Sequence, residues 1–407
     1  MAGSKYAIVG GGMVAGYAAK QLVESGLRSG DLTIFSADTS IPYERPPLSK
    51  SFLAGKDTEE SIHINAGDFY REHGIEIRLD CPVRAVDANR RSLKLQSGEE
   101  FRFEKLILAT GSRARTLTVP GADLRGLRYL RTLDDSKAIR DNAAGVKNAV
   151  VAGGGFIGME VASVLAQRGI DTRMVMPEDR VWKQFFTPEM SAFFESYFSA
   201  RGVRFRKGAT VGQLRGRGKV ESAELSDGGA IPCELVVAGI GAQPVTELFE
   251  GNGIEVSNGV VVNEFLETNA SGILAAGDIA NYPDVLFGKR RRVEHWDNAV
   301  SQAQHCAKAL LGERTPFRHV PYFFSDVFDL SYEFWGDPEG ATQVVYRGDK
   351  ATSSFSAWWI KKARLVAAFV MNRPGEERDL APAWIENQQK VDAARLADNA
   401  DPASATA

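Results

Sequence analysis

The sequence predicts an α/β protein with two Rossmann-like parallel-sheet domains and a C-terminal α+β domain with an antiparallel sheet. Two observations carry this fold class. A buried strand, a glycine-rich turn and a helix follow one another at residues 6–24, and the same order returns at residues 149–167. Beyond about residue 317 the pattern changes to short aromatic runs that suit antiparallel strands. These runs lie at 342–346, 355–360 and 365–370.

Each glycine-rich turn has the spacing that binds dinucleotides. The first glycine permits a tight turn, the second lets the backbone approach a pyrophosphate, and the third packs helix on strand. The pyrophosphate then binds at the helix N-terminus, where unpaired amides favour negative charge. A lone glycine run is often an ordinary turn, but two copies 143 residues apart predict two dinucleotide sites. The predicted residues are Gly10, Gly12 and Ala15 in the first copy and Gly153, Gly155, Phe156, Ile157 and Gly158 in the second.

A carboxylate follows the second strand of each Rossmann-like unit. Asp38 and Glu178 hold these positions, and each could accept hydrogen bonds from an adenosine ribose or be a simple turn residue. Glu178 favours NADH because a carboxylate repels the 2'-phosphate of NADPH. The neighbouring Arg173 and Arg180 could instead support NADPH.

The second Rossmann-like unit is predicted to be inserted into the first. A polar, arginine-rich stretch at 123–144 and a glycine-rich junction at 238–244 are interpreted as the crossovers. Gly241, in this junction, is also predicted to bind NAD(P)H. The tail is rich in Ala, Asp and Ser without apolar periodicity, so we expect it to be flexible. The predicted domains are residues 1–116 with 243–316, residues 117–242, residues 317–390, and a flexible tail at 391–407.

Composition excludes several classes of function. The 407 residues carry a net charge of −3, and the only dense basic run is 289–292, so no nucleic-acid partner is expected. That run is either a solvated loop or a docking patch for an acidic partner. No apolar run approaches the roughly 20 residues that span a bilayer, and strand-like sequence begins by Tyr6. We therefore expect a cytoplasmic protein without membrane contact.

The three cysteines, Cys81, Cys233 and Cys306, lie far apart and form no CxxC pair. This spacing argues against a disulfide framework and against dithiol chemistry. Each is interpreted as a plain buried thiol. No metal site is predicted.

Further motifs carry a resemblance to a known family. Residues 10–16, 109–111 and 277–278, with the inserted second glycine motif, resemble the two-dinucleotide-fold flavoprotein reductases. The resemblance implies FAD in the split domain, NAD(P)H in the inserted one, and Asp278 on the flavin ribityl chain. Residues 42–50 and 292–297 narrow it to the branch of oxygenase-coupled ferredoxin reductases, apoptosis-inducing factor and monodehydroascorbate reductase. It covers roughly residues 5–372.

The resemblance implies a role for each matching residue. Lys50 would lie beside the isoalloxazine and pair with Glu160; a cation there stabilises the anionic reduced flavin. The alternative is a surface lysine and an unrelated helix glutamate. Arg45 would meet the FAD phosphates, and the backbone around His295 and Trp296 would approach the pyrimidine end of the flavin, although His295 could be a core histidine. The predicted FAD set is completed by Ala109, Thr110, Gly111, Arg113, Gly277 and Glu294.

The predicted cycle passes hydride from the nicotinamide to FAD and then single electrons to an acceptor, because no cysteine pair is present to relay them. Monodehydroascorbate reductases carry an arginine and a tyrosine where this chain has Val300 and Trp335, which counts against ascorbate radical as the substrate. Phe324 is predicted on the same acceptor side.

The acceptor is predicted to be either a small organic radical or a [2Fe-2S] ferredoxin, the latter docked by 289–292, Arg113 and Arg115. A different class of function also stays open: a slow, redox-gated NADH-binding flavoprotein that resembles apoptosis-inducing factor. A monomer and a homodimer are both compatible with the sequence.

Overall fold

The computed structural model describes residues 2–398 and 402–406. Within them the helices α1 to α8 span, in chain order, Met13–Glu24, Phe69–Glu72, Leu133–Asn142, Phe156–Gln167, Pro188–Ser199, Trp296–Leu310, Gly375–Glu386 and Ala393–Ala397. Local sequence explains where two of them begin. Thr132 and Asp135 form a reciprocal capping box at α3, while Thr187 caps α5 ahead of a proline at its first position.

The first Rossmann-like sheet has Ala2–Val9 at its centre. This strand pairs in parallel with Leu32–Phe35 on one side and Glu100–Leu108 on the other. The remaining strands are Glu76–Arg78, Ser92–Leu95, Val83–Asp87 and Ile273–Ala275. The last of these strands comes from far along the chain and adds to Glu100–Leu108 in parallel, which makes this sheet discontinuous in sequence. A small sheet of Val260–Val261, Ala280–Asp284 and Lys289–Arg291 accompanies it.

The second Rossmann-like sheet is parallel throughout and contains the second glycine turn. Its strand order is Val203–Lys207, Asp171–Met176, Asn148–Ala152, Leu235–Ala238 and Leu127–Tyr129. The same part of the chain also forms an antiparallel sheet of Val211–Arg215, Ser222–Leu225 and Ala230–Pro232. Short strands at Ser112–Ala114 and Ala242–Pro244 pair where the chain enters and leaves this region.

The C-terminal sheet has five strands in the order Tyr322–Val327, Leu330–Gly336, Arg364–Met371, Ser354–Lys361 and Gln343–Asp349. The last four strands in this order pair in antiparallel fashion. The predicted fold class, two Rossmann-like units and an antiparallel C-terminal sheet, is therefore confirmed.

Long-range polar contacts join the tail to the C-terminal sheet. Residues 391–398 and 402–406 pack onto the C-terminal sheet, with the side chain of Leu396 in α8 buried. Val391 bridges to Thr406, and the Arg347 guanidinium donates to the carbonyls of Leu396 and Asp398. These contacts are long-range and polar and carry no apolar periodicity. The flexibility predicted for 391–407 stays a prediction, and residues 399–401 and 407 lie outside the described residues.

The chain forms two compact units. The first unit comprises residues 1–44, 59–113 and 243–323, and the second comprises 45–58, 114–242 and 324–407. The loop 45–58 and most of the C-terminal sheet thus group with the second Rossmann-like sheet. The boundaries of the three predicted domains stay a prediction.

Among the residues that the structure describes, no helix is long and apolar enough to span a bilayer.

Candidate functional site

The first glycine turn is held too tightly to admit a side chain. Gly10 has a φ of +120°, and a Cβ there would lie 2.1 Å from the carbonyl oxygen of Ala109. Gly12 forms the N-cap of α1, and Ala15 is buried in its first turn. The turn therefore ends the central strand beside the predicted 109–111 segment, and alanine at position 15 still packs against the sheet.

The predicted turn at Gly277 and Asp278 lies against the same helix. Gly277 has a φ of +77°, and a Cβ there would lie 2.7 Å from Val14 of α1. Its amide donates to the buried Gln302 side chain at 2.7 Å. Gln302 was not predicted from the sequence. It lies on the buried face of α6, and a polar side chain among apolar ones on that face is the signal that could have indicated it.

Asp38 stands just past the strand Leu32–Phe35. Its carboxylate accepts from the Tyr43 hydroxyl at 2.8 Å and from the Ser40 amide at 3.2 Å. This geometry fixes the carboxylate beyond the carboxyl end of a parallel strand, which is where Rossmann-like folds bind a ribose.

Glu44 is a second residue that the sequence reasoning missed. Its carboxylate accepts from the Trp296 indole N–H at 2.6 Å and from the Tyr17 hydroxyl. The two rings meet edge to face with centroids 6.3 Å apart. Glu44 thus ties the 42–50 motif to the start of α6, so two segments that the resemblance singled out separately are joined by one side chain.

The remaining members of the predicted FAD set have local structural partners. The Thr110 hydroxyl donates to the carbonyl of Val245 at 2.7 Å, and Gly111 has a φ of +65°. Arg113 forms an exposed ion pair with Glu247, and Glu294 pairs with Arg292 at 2.7 Å. Arg45 lies in the second unit and donates to the carbonyl of Arg131.

His295 is the N-cap of α6, and its ring stacks on Phe323 with centroids 5.0 Å apart. Desolvation lowers the pKa of His295 to about 4. The imidazole is therefore neutral at physiological pH, which suits a packing or backbone-positioning role better than proton donation.

In the second glycine turn two glycines are required by packing and one is not. A Cβ on Gly153 would lie 2.2 Å from the Gly239 carbonyl oxygen, and one on Gly158 would lie 2.1 Å from that of Gly153. A Cβ on Gly155 would meet nothing within 4 Å, and its φ of −87° is open to any residue. Packing and backbone conformation therefore do not require this glycine, and its predicted role is to let a ligand approach the backbone.

The first turns of α1 and α4 leave their amides without side-chain caps. Both helices have a glycine N-cap without a side-chain hydrogen bond and no acidic residue in the first turn. In contrast, α3 and α5 are capped by threonine side chains. Unsatisfied amides at these two ends fit the phosphates of dinucleotides.

Three further residues predicted to bind NAD(P)H are Phe156, Ile157 and Gly241. Ile157 in α4 is 37 % exposed, and the ring of Phe156 contacts those of Trp182 and Phe185. Gly241 has a φ of +104°, and its carbonyl accepts from the amide of Arg115.

Glu178 is exposed beyond the strand Asp171–Met176, whereas the two neighbouring arginines are engaged within the protein. Arg173 pairs with Asp171 at 3.6 Å, and Arg180 donates to the carbonyls of Phe186 and Lys183 and to Ser191. Both guanidinium groups thus have partners within the protein.

Lys50 and Glu160 form an ion pair in the second unit, with 2.9 Å between Nζ and Oε1. The 3-10 helix Pro46–Ser49 ends directly before Lys50, and Glu160 is 4 % exposed in α4. Ser49 and Ser325 also donate to this carboxylate, and Phe324 places its ring centroid 5.0 Å from the Lys50 ammonium. The structure thus brings together two residues that are far apart in sequence, although their catalytic roles stay predictions.

The other acceptor-side residues are apolar and buried. Val300 is 9 % exposed on α6 of the first unit, and Trp335 is 7 % exposed on the strand Leu330–Gly336 of the second.

The basic run 289–292 has partners within the protein. Arg290 donates to the carbonyls of Val262 and Asn281, while Arg291 and Arg292 pair with acidic side chains. The three arginines of the run thus have partners within the protein, and a docking role for 289–292 stays a prediction.

The three cysteines are not joined in disulfides. Cys81, Cys233 and Cys306 are free thiols, and burial raises the pKa of Cys233 to about 12. Among the described residues no cluster of His, Cys, Asp and Glu could hold a metal ion. The structure thus has one glycine turn before an uncapped helix on each of its two Rossmann-like sheets, and an antiparallel C-terminal sheet follows them. This architecture is that of an oxidoreductase that binds FAD and NAD(P)H.

Comparison with known proteins gives the family. The model for pyridine nucleotide-disulphide oxidoreductases matches residues 4–303, and that for the reductase C-terminal domain matches residues 322–406. The chain belongs to the pyridine nucleotide-disulphide oxidoreductase family, and the predicted FAD-dependent, NAD(P)H-oxidising electron-transfer class is confirmed.

Relatives of two kinds are similar over nearly the whole chain. Monodehydroascorbate reductase 4, peroxisomal, of Arabidopsis thaliana is 39 % identical over 91 % of this chain and 80 % of its own. The ferredoxin reductase for the CYP199A2 system of Rhodopseudomonas palustris is 33 % identical, with a TM-score of 0.94 over 99 % of this chain and 100 % of its own. Putidaredoxin reductase, in its covalent complex with putidaredoxin, is 32 % identical, with a TM-score of 0.94 over 100 % and 99 %. These reductases do not favour the redox-gated alternative.

Proposed function

We propose that this protein transfers electrons from NADH, through FAD, to a [2Fe-2S] ferredoxin. The overall reaction would convert one NADH and two oxidised ferredoxins into NAD⁺, one proton and two reduced ferredoxins. FAD, when bound, supplies the conversion of a two-electron hydride donor into two single-electron steps. The residues of the chain would bind, orient and electrostatically tune that group.

The ion pair of Lys50 and Glu160 carries the proposed chemistry. By resemblance, the ammonium faces the flavin, where it would stabilise the negative charge that develops when hydride is accepted. The buried Glu160 carboxylate, 2.9 Å away, holds the ammonium in one place. Gly10, Gly12 and the turn at Gly277 would hold the dinucleotide.

The choice of acceptor rests on Val300 and Trp335. An enzyme selects a polar organic radical over other substrates through buried hydrogen-bonding partners. These two buried apolar side chains supply few such partners. A ferredoxin delivers its cluster to a protein surface and needs no such pocket. The similarity to two ferredoxin-linked reductases over the full length of both chains supports the same acceptor class.

A second candidate is reduction of monodehydroascorbate. The 39 % identity with a monodehydroascorbate reductase favours it. Val300 and Trp335 would then have to be tolerated in place of the arginine and tyrosine.

Steady-state NADH oxidation with each acceptor separates the two candidates. We expect rapid turnover with a [2Fe-2S] ferredoxin and only slow turnover with enzymatically generated ascorbate radical. Installing the missing groups in the Val300→Arg, Trp335→Tyr double variant should raise radical turnover while leaving reduction of the flavin by NADH unchanged. Fast radical turnover by the unaltered protein, with none on ferredoxin, would reverse the assignment.

We further propose that NADH is preferred over NADPH, because Glu178 is exposed at the ribose position while Arg173 and Arg180 are engaged. Replacing Glu178 with alanine should lower the ratio of kcat/KM for NADH over NADPH by about tenfold, since a like charge opposite a phosphate is unfavourable. The neighbouring Asp179→Ala is a matched control, because Asp179 is already paired with Lys183. An equal change in both variants would mean that general surface charge sets the preference.

The proposal includes a cytoplasmic location and either a monomer or a homodimer. Among the relatives, the Arabidopsis reductase is named as peroxisomal, so location can differ within the family. Light scattering of the purified holoprotein would give the oligomeric state.

A further inference from the structure

The Glu160 carboxylate accepts hydrogen bonds from two serine hydroxyls in addition to its ion pair with Lys50. Oε1 accepts from the Lys50 ammonium at 2.9 Å and from the Ser325 hydroxyl at 2.6 Å. Oε2 accepts from the Ser49 hydroxyl. Both serines are as deeply buried as the carboxylate, so water does not replace them readily.

The two hydroxyls bind opposite ends of the carboxylate. A single contact with Lys50 would leave the carboxylate free to rotate about its terminal torsion, which is broad for glutamate. Donors on both oxygens fix the plane of the group, and with it the position of the ammonium that Oε1 holds. Hydrogen bonds to an ionised acceptor are stronger than those to a neutral one, so this orientation is well enforced.

Ser325 belongs to the strand Tyr322–Val327, and two further contacts fasten this region to Lys50 and α4. Phe324 lies against the Lys50 ammonium, with 5.0 Å from Nζ to the ring centroid. The Phe328 amide, just past the strand, donates at 2.6 Å to Ser163, which lies three residues after Glu160 on α4. The C-terminal sheet therefore reaches both members of the ion pair.

We propose that Ser325 and Ser49 are positioning residues for flavin reduction: they aim the Glu160 carboxylate, and through it the Lys50 ammonium, at the flavin. This inference rests on the proposed role of Lys50. It also gives the C-terminal sheet a part in the first half-reaction, with NADH, in addition to any part in meeting the acceptor.

The test is a double-mutant cycle between Ser325→Ala and Lys50→Met in the FAD-loaded protein. Two quantities are measured: the limiting rate of flavin reduction by NADH in stopped flow, and the midpoint potential of the bound flavin. Ser325→Ala should slow reduction about tenfold, the loss expected for one hydrogen bond to a charged group. It should also make the potential more negative, because a poorly placed cation stabilises the reduced flavin less. In the Lys50→Met background both effects should vanish.

Ser163→Ala is the matched control. It removes another buried serine hydroxyl from the contact between α4 and the C-terminal sheet without touching Glu160, so it should lower stability but move neither the potential nor the rate. Equal effects of Ser325→Ala in both backgrounds would overturn the positioning role while leaving that of Lys50 intact. If Lys50→Met alone changes neither quantity, the proposed function of the pair fails first, and the inference fails with it.

Discussion

Replacing Lys50 with alanine is expected to slow the reduction of bound flavin by NADH about 10²-fold, while the protein keeps its FAD. The ammonium is the cation held by Glu160, and its proposed work is done only as negative charge develops during hydride transfer. FAD binding is proposed to depend on other residues, chiefly the first glycine turn, the turn at Gly277 and Asp38. Stopped-flow reduction at saturating NADH measures the rate, and the visible flavin spectrum measures cofactor content.

Glu160→Ala should give a similar loss, because the lysine would then lack the partner that fixes it. Lys350→Ala is a suitable control, since it removes a lysine of the second unit whose partner, Glu189, is exposed. Unchanged reduction rates in both Lys50→Ala and Glu160→Ala would refute the pair. Loss of FAD in these variants would instead assign the pair to cofactor binding.

The glycine turns could be predicted from sequence because their physics is local. Gly10 and Gly153 need positive φ and tolerate no Cβ, and the strand and helix on either side are encoded in adjacent residues. The same holds for the antiparallel strands of the C-terminal domain, whose alternating aromatic pattern predicted Ser354–Lys361 and Arg364–Met371 within a few residues.

The supporting polar contacts could not be predicted, because they join residues far apart in the chain. Ser325 donates to a carboxylate 165 residues away, and the Trp296 indole donates to Glu44 across 252 residues. A single serine or glutamate carries no periodic signal, and only the fold brings it to its partner. Resemblance supplied the Lys50 and Glu160 pair, but it did not supply the two hydroxyls that orient the carboxylate.

The contacts of the tail could not be predicted for a related reason. Residues 391–398 contain few large apolar side chains, and composition alone favours disorder. In the structure a buried arginine on a neighbouring strand contacts them. Arg347 and Glu377 are 1 % and 2 % exposed and pair at 3.1 Å between Nε and Oε1. The same guanidinium donates to the carbonyls of Leu396 and Asp398, each at 2.5 Å.

Replacing Arg347 with alanine is therefore expected to lower the free energy of unfolding by about 3–5 kcal/mol, the range for breaking a buried ion pair by removing one partner. Two carbonyls at the end of α8 would also lose their donor, so amide exchange in Ala393–Ala397 should accelerate. Chemical denaturation gives the first quantity and hydrogen exchange gives the second.

The direction in which the free energy of unfolding changes with pH follows from Glu377. Burial raises the pKa of this carboxyl, but hydrogen bonds from Arg373, Ser356 and Arg347 outweigh it and leave the pKa below its ordinary value of 4.5. A lowered pKa in the folded state contributes stability that is present above about pH 4.5 and is lost as the pH falls through the folded-state pKa. In Arg347→Ala one of the lowering contacts is gone, so this acid-labile part of the stability should shrink.

The double variant Arg347→Met, Glu377→Leu separates the contribution of the ion pair to stability from that of the hydrogen bonds to α8. Replacing a buried ion pair with apolar groups of similar size is often neutral. Arg373 also loses its partner Glu377 in this variant, so only part of the lost stability should return. The variant should not recover slow exchange in α8, because methionine cannot donate to the carbonyls of Leu396 and Asp398. If the amides of α8 in Arg347→Ala exchange as slowly as in the unaltered protein, packing of Leu396 alone orders the tail.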